Sequence, residues 1–245
     1  MRQPFQILLC GDSAVAVQFG EKADIETSLK VRTMDRMIKS HPQNGVTETI
    51  PTYRSLMVHY DPLRVRFLEL ADYLRRLGEQ VRWDGLAPST EGICLPVCYS
   101  HPGTEIETVA KFEKMRVEDV IRIHSQSEHY VFMIGFAPAN AYIGCPAGTF
   151  TISRKTAPAM APYDRSVQIW SDQTTVAPFL GQTGWYSLGR TPVRTYDPRK
   201  ENPSYFQSGE WVKFMPVTMQ EYELIERDVL NMRYQPERFQ RQTQD

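Results

Sequence analysis

The sequence predicts an α+β chain of two domains, and three observations support this prediction. Over about the first 85 residues, short apolar strand patterns alternate with helical ones. Residues 83–92 (WDGLAPSTEG) then concentrate Gly, Pro, Ser and Thr, as domain boundaries often do. Beyond them, many short strand-like runs are separated by Gly and Pro, which favours a barrel or a sandwich. We therefore place the boundary near residue 90 of the 245.

The N-terminal domain, residues 1–90, begins with strands. The apolar runs ILLC and AVAVQF predict two strands on either side of a turn at 11–13. Residues 46–50 and 55–60 predict a second pair of strands, broken at Pro51.

Two helices complete the N-terminal domain. The first, over about 24–40, has the less regular apolar pattern. In the second, apolar side chains recur every three or four residues between Leu63 and Leu77, starting just after Pro62 and ending at Gly78. Strand, helix, two strands, helix and a further strand give a ferredoxin-like, two-layer α/β domain.

The C-terminal domain, residues 91–235, is predicted to be mainly β. A helical stretch covers about 105–125 and is followed by short strand-like runs at 128–136, 149–154, 166–170, 185–189, 193–196 and 210–217. A final helix begins at a capping box of Thr218 and Glu221. Its apolar stripe consists of Tyr222, Ile225, Val229 and Met232. Residues 236–245 are polar, and we expect them to form a disordered tail.

Composition excludes several classes of function. With 28 basic and 29 acidic residues, the net charge of -1 gives no field that would attract nucleic acid or anionic lipid. No apolar run approaches the roughly 18 to 20 residues of a bilayer span, and the N-terminal apolar stretch is too short for a secretory signal. We expect a cytosolic protein without nucleic-acid or membrane partners.

Cysteine and histidine spacing predicts no metal site. Four cysteines fit a reducing compartment better than a disulfide framework. The segment that contains Cys94 and Cys98 predicts a strand. Positions four apart in a strand lie about 13 Å from each other, so these two cysteines cannot bind one ion together. The histidines that form no metal-ligand spacing are His41, His59, His101 and His129.

The most informative stretch covers residues 124–192. An apolar strand over 130–134 leads into a stiff turn of the type on which binding sites are commonly built. This turn supplies five candidate substrate-binding residues: Gly135, Phe136, Pro138, Asn140 and Tyr142.

The order of motifs along this stretch carries a resemblance. The matching positions, in one gapless order, are His124, Gly135, Phe136, Pro138, Tyr142, Gly144, Arg154, Gln173, Thr174, Pro178, Gly184, Trp185, Gly189, Arg190, Thr191 and Pro192. Upstream, the matching segments are 11–20 (GDSAVAVQFG), 46–62 (VTETIPTYRSLMVHYDP) and 95–99 (LPVCY). The chain thereby resembles the family of the 5-oxoprolinase B subunit, of the carboxyltransferase-domain type (subdomain C and D). That family also contains allophanate hydrolase subunit 1 and the KipI-type sporulation-kinase inhibitor.

The resemblance implies a fold and an activity. The second domain would be a cyclophilin-like β-barrel. The chain would be a subunit of an ATP-dependent complex that hydrolyses a lactam or amide, or transfers a carboxyl group. Its site would be shared with a homologous larger subunit of the C type, and a subunit of the A type is a further candidate partner. The chain has no GxxxxGK[ST], GxGxxG or GxSxG motif, so the ATP used by the complex has no identifiable site in it.

Five side chains are candidates for chemistry or binding. His124 lies on a helix face with apolar neighbours, so it is either a core histidine or a group that polarises a carbonyl or carries a proton. Arg154 and Arg190 match arginines of the family and offer forked donors to a carboxylate or phosphate. Gln173 is a second catalytic candidate, and Thr174 a substrate-binding one, because an amide beside a hydroxyl in a turn can hold a carbonyl.

Departures from the family pattern gather around the expected pocket. Relatives typically carry glycine at the positions occupied here by Ala139, Arg165, Gln168, Ser171 and Thr175. Larger side chains at such positions should narrow or refill the cavity. This pattern is what a changed substrate or a lost activity would produce. Two alternatives to an enzyme subunit therefore stay open: a regulatory protein that inhibits a sensor histidine kinase, and a catalytically silent paralogue.

Overall fold

The computed structural model of the chain describes residues 4–144 and 149–241. The chain divides into two compact units, Met1–Pro88 and Ser89–Asp245, called unit 1 and unit 2 below. Each unit has its own cluster of buried apolar side chains. Within the described ranges, no helix is both long and apolar enough to cross a membrane.

Unit 1 is a four-stranded antiparallel sheet with two helices. Its elements are β1 (Gln6–Leu9), β2 (Ala14–Gln18), α1 (Ile25–Ser40), β3 (Val46–Pro51), β4 (Ser55–Tyr60) and α2 (Phe67–Glu79). The strand order is β1-β2-β4-β3, so β2 and β3 run in the same direction with β4 between them. Alternate residues of β2 and β4 point into the core with the apolar faces of both helices. The structure therefore confirms a unit of mixed α and β structure, and its ferredoxin-like arrangement stays a prediction.

The helix and strand limits in unit 1 differ from the predicted ones at two places. The second helix begins at Phe67 rather than just after Pro62, because the carbonyl of Asp61 accepts hydrogen bonds from Arg64 and Val65 in a separate turn. Leu63, taken as the start of the apolar stripe, is 95% exposed. No strand follows α2 over residues 80–90; the β1–β2 hairpin supplies the fourth strand instead.

Unit 2 is built on a large mixed sheet. Its elements are β5 (Glu91–Val97), α3 (Ile106–Glu113), α4 (Val117–Gln126), β6 (His129–Ile134), β7 (Ala141–Gly144), β8 (Ala159–Met160), β9 (Ser166–Trp170), β10 (Gln173–Ala177), β11 (Gln182–Thr183), β12 (Tyr186–Arg190), β13 (Trp211–Pro216), α5 (Met219–Leu230) and β14 (Arg238–Gln240). The strand order is β12-β9-β10-β7-β6-β13-β5-β14, and β8 pairs separately with β11. One isolated bridge joins Cys98, directly after β5, to Arg190 of β12. The described strands form no continuous closed ladder, and the cyclophilin-like barrel stays a prediction.

Two predicted strands of unit 2 are absent from the described residues. Residues 149–154 are not a strand, although Phe150 and Ile152 are buried. Carboxylates take the place of a neighbouring strand here, because Asp172 accepts from the amide of Phe150 and Glu113 from that of Ile152. Residues 193–196 make only one isolated bridge. The predicted helical stretch over 105–125 is two helices, α3 and α4, separated at Lys114 with φ of 55°.

The C-terminal region is more ordered than predicted. The capping box of Thr218 and Glu221 is confirmed at the start of α5. The disordered tail over 236–245 is wrong for its described part, because β14 pairs with β5 and the ring of Phe239 covers Gly92. Arg241 adds a hydrogen bond of 2.6 Å to Glu128 and lies 4.0 Å from the Trp211 ring centroid. Residues 242–245 of that tail lie outside the described ranges.

Candidate functional site

A cavity of about 430 Å³ opens on unit 2 and brings together three of the predicted site residues. Asn140, Tyr142 and Arg154 line it, together with residues of β9 and β10 and the loop 177–185. A cavity of this size suits a small molecule, since ligand pockets commonly measure about 300–1,000 Å³.

Arg154 gives the cavity its positive charge. Its side chain is held by aromatic rings, with the guanidinium carbon 4.2 Å from the Trp170 ring centroid and 5.9 Å from that of Trp185. Within the described residues, no carboxylate pairs with Arg154 and none of its N–H groups donates to the protein. A guanidinium stacked on an aromatic face keeps its in-plane donors free. Arg154 is thus positioned to bind an anionic group of a ligand.

The turn after β6 positions Asn140 and Tyr142. The amide of Gly135 donates to the carbonyl of Asn140 at 2.8 Å, which closes the turn. A side chain at Gly135 would meet the ring of Tyr142, so the glycine makes room for that ring. Tyr142 in turn stands edge-on to Trp185, with 6.2 Å between ring centroids. The predicted glycine turn therefore fixes one wall of the cavity.

Phe136 and Pro138, also predicted from this turn, point outward. Both are exposed, and Phe136 is fully so, although its neighbour Ala137 lines the cavity. Of the predicted turn residues, Phe136 and Pro138 are therefore not part of the cavity lining.

His124 lies in the core and does not reach the cavity. Nδ1 is 2.7 Å from the hydroxyl of Tyr99 and Nε2 is 3.1 Å from Oγ1 of Thr174, so both ring nitrogens are used. The ring stacks on Phe214 at a centroid distance of 4.4 Å. Burial, and secondarily the neighbouring His129, holds the pKa of His124 well below its usual value. His124 is therefore a neutral histidine packed in the interior.

Thr174 and Gln173 do not line the cavity either. Thr174 is completely buried and faces His124, whereas the next residue, Thr175, faces the cavity. Successive side chains of a strand point to opposite sides, so the prediction chose the wrong member of this pair. Thr175 Oγ1 lies 3.0 Å from Oδ1 of Asn140 and 2.8 Å from the carbonyl oxygen of Ala141. Gln173 begins β10 opposite Gly144 and Trp170.

Arg190 is held by protein groups away from the cavity lining. Its guanidinium forms an ion pair with Asp164 and donates through Nε to the carbonyl of Asp164 at 3.2 Å. Burial would raise the pKa of Asp164, but Arg165 and Arg190 together hold it below the usual value. Arg190 thus neutralises Asp164 rather than facing the cavity with Arg154.

Gln168 and Thr175 are lining residues that the set of candidate binding residues missed. The signal for both was present, because each stands where relatives typically carry glycine and was expected to narrow the pocket. Gln168 is almost completely buried and its Oε1 accepts from Thr183 Oγ1 at 2.7 Å. Trp185, also in the lining, was matched to the family without being assigned a role.

Three other former glycine positions keep a backbone that glycine adopts most easily. Ala139, Arg165 and Ser171 have φ values of 55°, 56° and 49°. Residues other than glycine rarely adopt this left-handed backbone conformation, because their Cβ atom comes too close to the following carbonyl oxygen. The backbone around the cavity therefore follows a glycine-type path with larger residues on it.

Comparison with known proteins identifies the family. Residues 5–206 match the model of the carboxyltransferase domain, subdomain C and D. The chain belongs to this family. It is 32% identical over 229 residues to the B subunit of 5-oxoprolinase from Bacillus subtilis, covering 89% of this chain and 95% of that protein. The described residues contain no group of three or more His, Cys, Asp or Glu side chains that could hold a metal ion.

Solved structures share the fold within longer chains. The crystal structure of TTHA0988 superposes with a TM-score of 0.73 at 24% identity, over 83% of this chain and 40% of that one. The Kluyveromyces lactis urea carboxylase superposes with a TM-score of 0.77 at 15% identity, over 96% of this chain and 24% of that one. This chain therefore spans less than half the length of these two structural relatives.

Proposed function

We propose that this chain is the B-type subunit of a cytosolic, ATP-dependent complex of the 5-oxoprolinase type, acting on a small cyclic amide that carries a carboxylate. The observation that carries the proposal is the guanidinium of Arg154, which lies in an aromatic cavity and pairs with no carboxylate of residues 4–144 and 149–241. The proposal is supported by the 32% identity to the 5-oxoprolinase B subunit over almost its whole length. The complex would convert 5-oxoproline to glutamate with the hydrolysis of ATP.

In this proposal Arg154 binds the carboxylate of the substrate. Its donors match the two oxygens of a carboxylate, and the low polarity beside Trp170 and Trp185 strengthens such a pair. Tyr142 and Trp185 would flank the ring. His124 and Thr174 would support the site from the core side of β10, while Thr175 faces the cavity.

The partner that completes the site is proposed to be a homologous larger subunit. Four large apolar side chains lie exposed in or next to the lining segments: Phe136, Met160, Phe179 and Leu180. A group of such side chains around a cavity mouth is typical of a surface that another protein covers. The larger subunit, of the C type, would cover this rim, and the ATP site would belong to the partners, including an A-type subunit.

Reconstitution tests the proposal. The chain is mixed with the other subunits of the complex from the same genome, and glutamate release from 5-oxoproline is measured with and without ATP. We expect ATP-dependent release that Arg154→Ala reduces by at least about a hundredfold in kcat/KM, as the loss of a charged anchor on a desolvated substrate would do. Arg122→Ala, an exposed arginine on α4 outside the lining, is the matched control and should leave activity unchanged.

Three outcomes separate the candidate functions. Full activity of Arg154→Ala would reject the assigned role of this residue. Failure of the wild-type chain to support glutamate release, despite stable assembly with the partners, would favour a catalytically silent paralogue. Inhibition of a sensor histidine kinase by a chain that does not assemble with the other subunits would favour the regulatory alternative.

A further inference from the structure

Gln168 is a cavity residue whose hydrogen bonding is incomplete. Its side chain is 2% exposed, and Oε1 accepts a hydrogen bond from Thr183 Oγ1 at 2.7 Å. Its amide nitrogen, Nε2, has no hydrogen-bond partner in the part of the chain that the structure describes. Buried side-chain donors are nearly always paired in folded proteins. An unpaired donor on a residue of the cavity wall is a position at which a bound molecule can supply the acceptor.

The neighbouring hydrogen bonds determine which end of the Gln168 amide is unpaired. The backbone amide of Trp185 donates to Thr183 Oγ1 at 3.1 Å, so this hydroxyl oxygen already accepts one bond. In the structure the hydroxyl proton of Thr183, the single donor of that group, goes to Oε1 of Gln168 at 2.7 Å, so this amide presents its carbonyl oxygen to Thr183. The amide nitrogen is left for another partner, and that partner must be an acceptor.

We propose that Gln168 is a specificity-determining residue that donates a hydrogen bond from Nε2 to the carbonyl oxygen of the ligand whose carboxylate Arg154 binds. This inference rests on the proposed function, because it assigns a second contact to the same ligand. Both residues line the same cavity, and they present donors of different kinds. A charged fork selects an anion, whereas a neutral amide selects an uncharged acceptor such as a lactam carbonyl.

Nε2 of Gln168 is screened from solvent, so a ligand can reach it only if part of the cavity wall moves. Thr183, which covers one side of the Gln168 amide, belongs to β11, a strand of two residues that pairs only with the two residues of β8 among the described strands. An isolated two-stranded pairing is marginally stable, so we expect this part of the wall to be the one that moves.

The identity of residue 168 distinguishes this chain from its relatives. A glycine at this position, typical of the resembled family, offers no side-chain donor. Gln168 therefore adds a contact that those relatives do not have. It also fills part of the cavity, which restricts the ligand to a compact ring.

Binding of three probes to the full-length chain tests the inference. The probes are 5-oxoproline, cyclopentanecarboxylate, which lacks the carbonyl, and pyrrolidinone, which lacks the carboxylate. Dissociation constants are measured by ligand-observed NMR for wild type, Gln168→Met and Arg154→Met. Gln168→Met keeps the length and flexibility of the side chain and removes both polar atoms.

We expect each variant to lose selectivity for one group of the ligand: Gln168→Met for the carbonyl, and Arg154→Met for the carboxylate. Wild type should bind 5-oxoproline about tenfold more tightly than cyclopentanecarboxylate, a difference of about 1.4 kcal/mol. Gln168→Met should reduce this ratio to near one while keeping the preference of 5-oxoproline over pyrrolidinone. Arg154→Met should remove the preference of 5-oxoproline over pyrrolidinone and keep the preference of 5-oxoproline over cyclopentanecarboxylate. A purely structural effect of Gln168 would weaken all probes together and leave the ratios unchanged.

Two failures are distinguishable. If 5-oxoproline binds wild type and Gln168→Met retains the wild-type ratio, the role of Gln168 is rejected and the proposed function stands. If 5-oxoproline binds neither the wild-type chain nor its complex with the partner subunits, the proposed function is rejected and the role of Gln168 with it.

Discussion

Arg154 and Trp170 form a stacked pair, with the guanidinium carbon 4.2 Å from the centroid of the indole ring. No carboxylate of the described residues holds Arg154, so the ring is the contact that orients its charge. A cation over an exposed aromatic face gains about 0.5–1 kcal/mol. The position of the anion-binding group in this cavity therefore depends on the end of β9.

Replacing Trp170 by leucine should weaken ligand binding without unfolding the chain. Loss of the stacked ring should raise the Kd for 5-oxoproline about twofold to fivefold, as expected from the loss of about 0.5–1 kcal/mol. Trp170→Phe, which keeps an aromatic face, should recover most of the affinity. Equal Kd values for Trp170→Leu and wild type, with both proteins folded by circular dichroism, would contradict the role of the ring.

Two buried histidines should make unit 2 sensitive to acid. Burial lowers the pKa of His129 from 6.5 to about 4, with a backbone hydrogen bond opposing the shift, and burial also lowers the pKa of His124. Between about pH 4 and pH 6.5, His129 of the unfolded chain binds a proton that His129 of the native chain does not. Stability is therefore full above about pH 6.5 and falls as the pH decreases toward 4.

Urea unfolding measured from pH 8 to pH 4.5 checks this dependence. Each histidine should contribute a slope of up to about 1.4 kcal/mol per pH unit in the lower part of the range. His129→Leu should reduce this slope, relative to wild type, by up to about 1.4 kcal/mol per pH unit, which corresponds to the uptake of one proton. An unchanged slope in His129→Leu would show that His129 does not contribute to the acid sensitivity.

Ser171→Gly should stabilise the chain. Ser171 has φ of 49°, which glycine adopts without strain, and its backbone amide bond to Ile152 is kept in the variant. Relief of the left-handed strain, about 1–2 kcal/mol, exceeds the entropy that glycine adds to the unfolded chain, so we expect a net gain of about 0.5–1 kcal/mol. The measurement is the free energy of unfolding, with Ser171→Ala as the matched control that retains the strain. A glycine variant less stable than the alanine variant would refute the argument.

Phe239→Ala should destabilise unit 2 although the residue lies near the chain end. The ring covers Gly92 of β5 and lies 4.4 Å from the Lys213 ammonium, so its removal exposes apolar surface on β5, the neighbour of the edge strand β14. We expect a loss of about 1–2 kcal/mol in the free energy of unfolding, as for a half-buried aromatic side chain. Glu237→Ala is the control, since the backbone carbonyl of Glu237, which the variant keeps, is the group that bonds to β5. A loss no larger than that of the control would indicate that β14 does not contribute to stability.

Local patterns predicted most of the regular elements. The runs at 128–136, 166–170 and 210–217 became β6, β9 and β13, because each is an apolar segment between turn residues. The segment 149–154 failed for a reason that no local pattern contains. Its amides bond to Asp172 and Glu113, side chains that are distant in sequence. When side-chain carboxylates accept the hydrogen bonds of its backbone amides, a buried apolar run has the composition of a strand but needs no partner strand.

Three of the predicted site residues lie together in the structure. Arg154 and Tyr142, matched to the family, and Asn140, predicted from the turn, line one cavity, and their roles stay predictions. Gln173 and Thr174 were predicted to lie in a turn after the strand over 166–170, but both begin β10, where alternation places Thr175 rather than Thr174 on the cavity side. Arg190 could not be placed, since its pairing with Asp164 spans 26 residues and depends on the register of β12 with β9.

Glu113, at the end of α3, accepts hydrogen bonds from the amides of Thr151 and Ile152 at 2.7 and 2.8 Å, two residues before Arg154. A helix outside the cavity lining is in this way hydrogen-bonded to the segment that leads to Arg154. We therefore expect a change at Glu113, which lies outside the cavity lining, to alter the position of Arg154. The proposed affinity for an anion would then depend on a contact that the anion never makes.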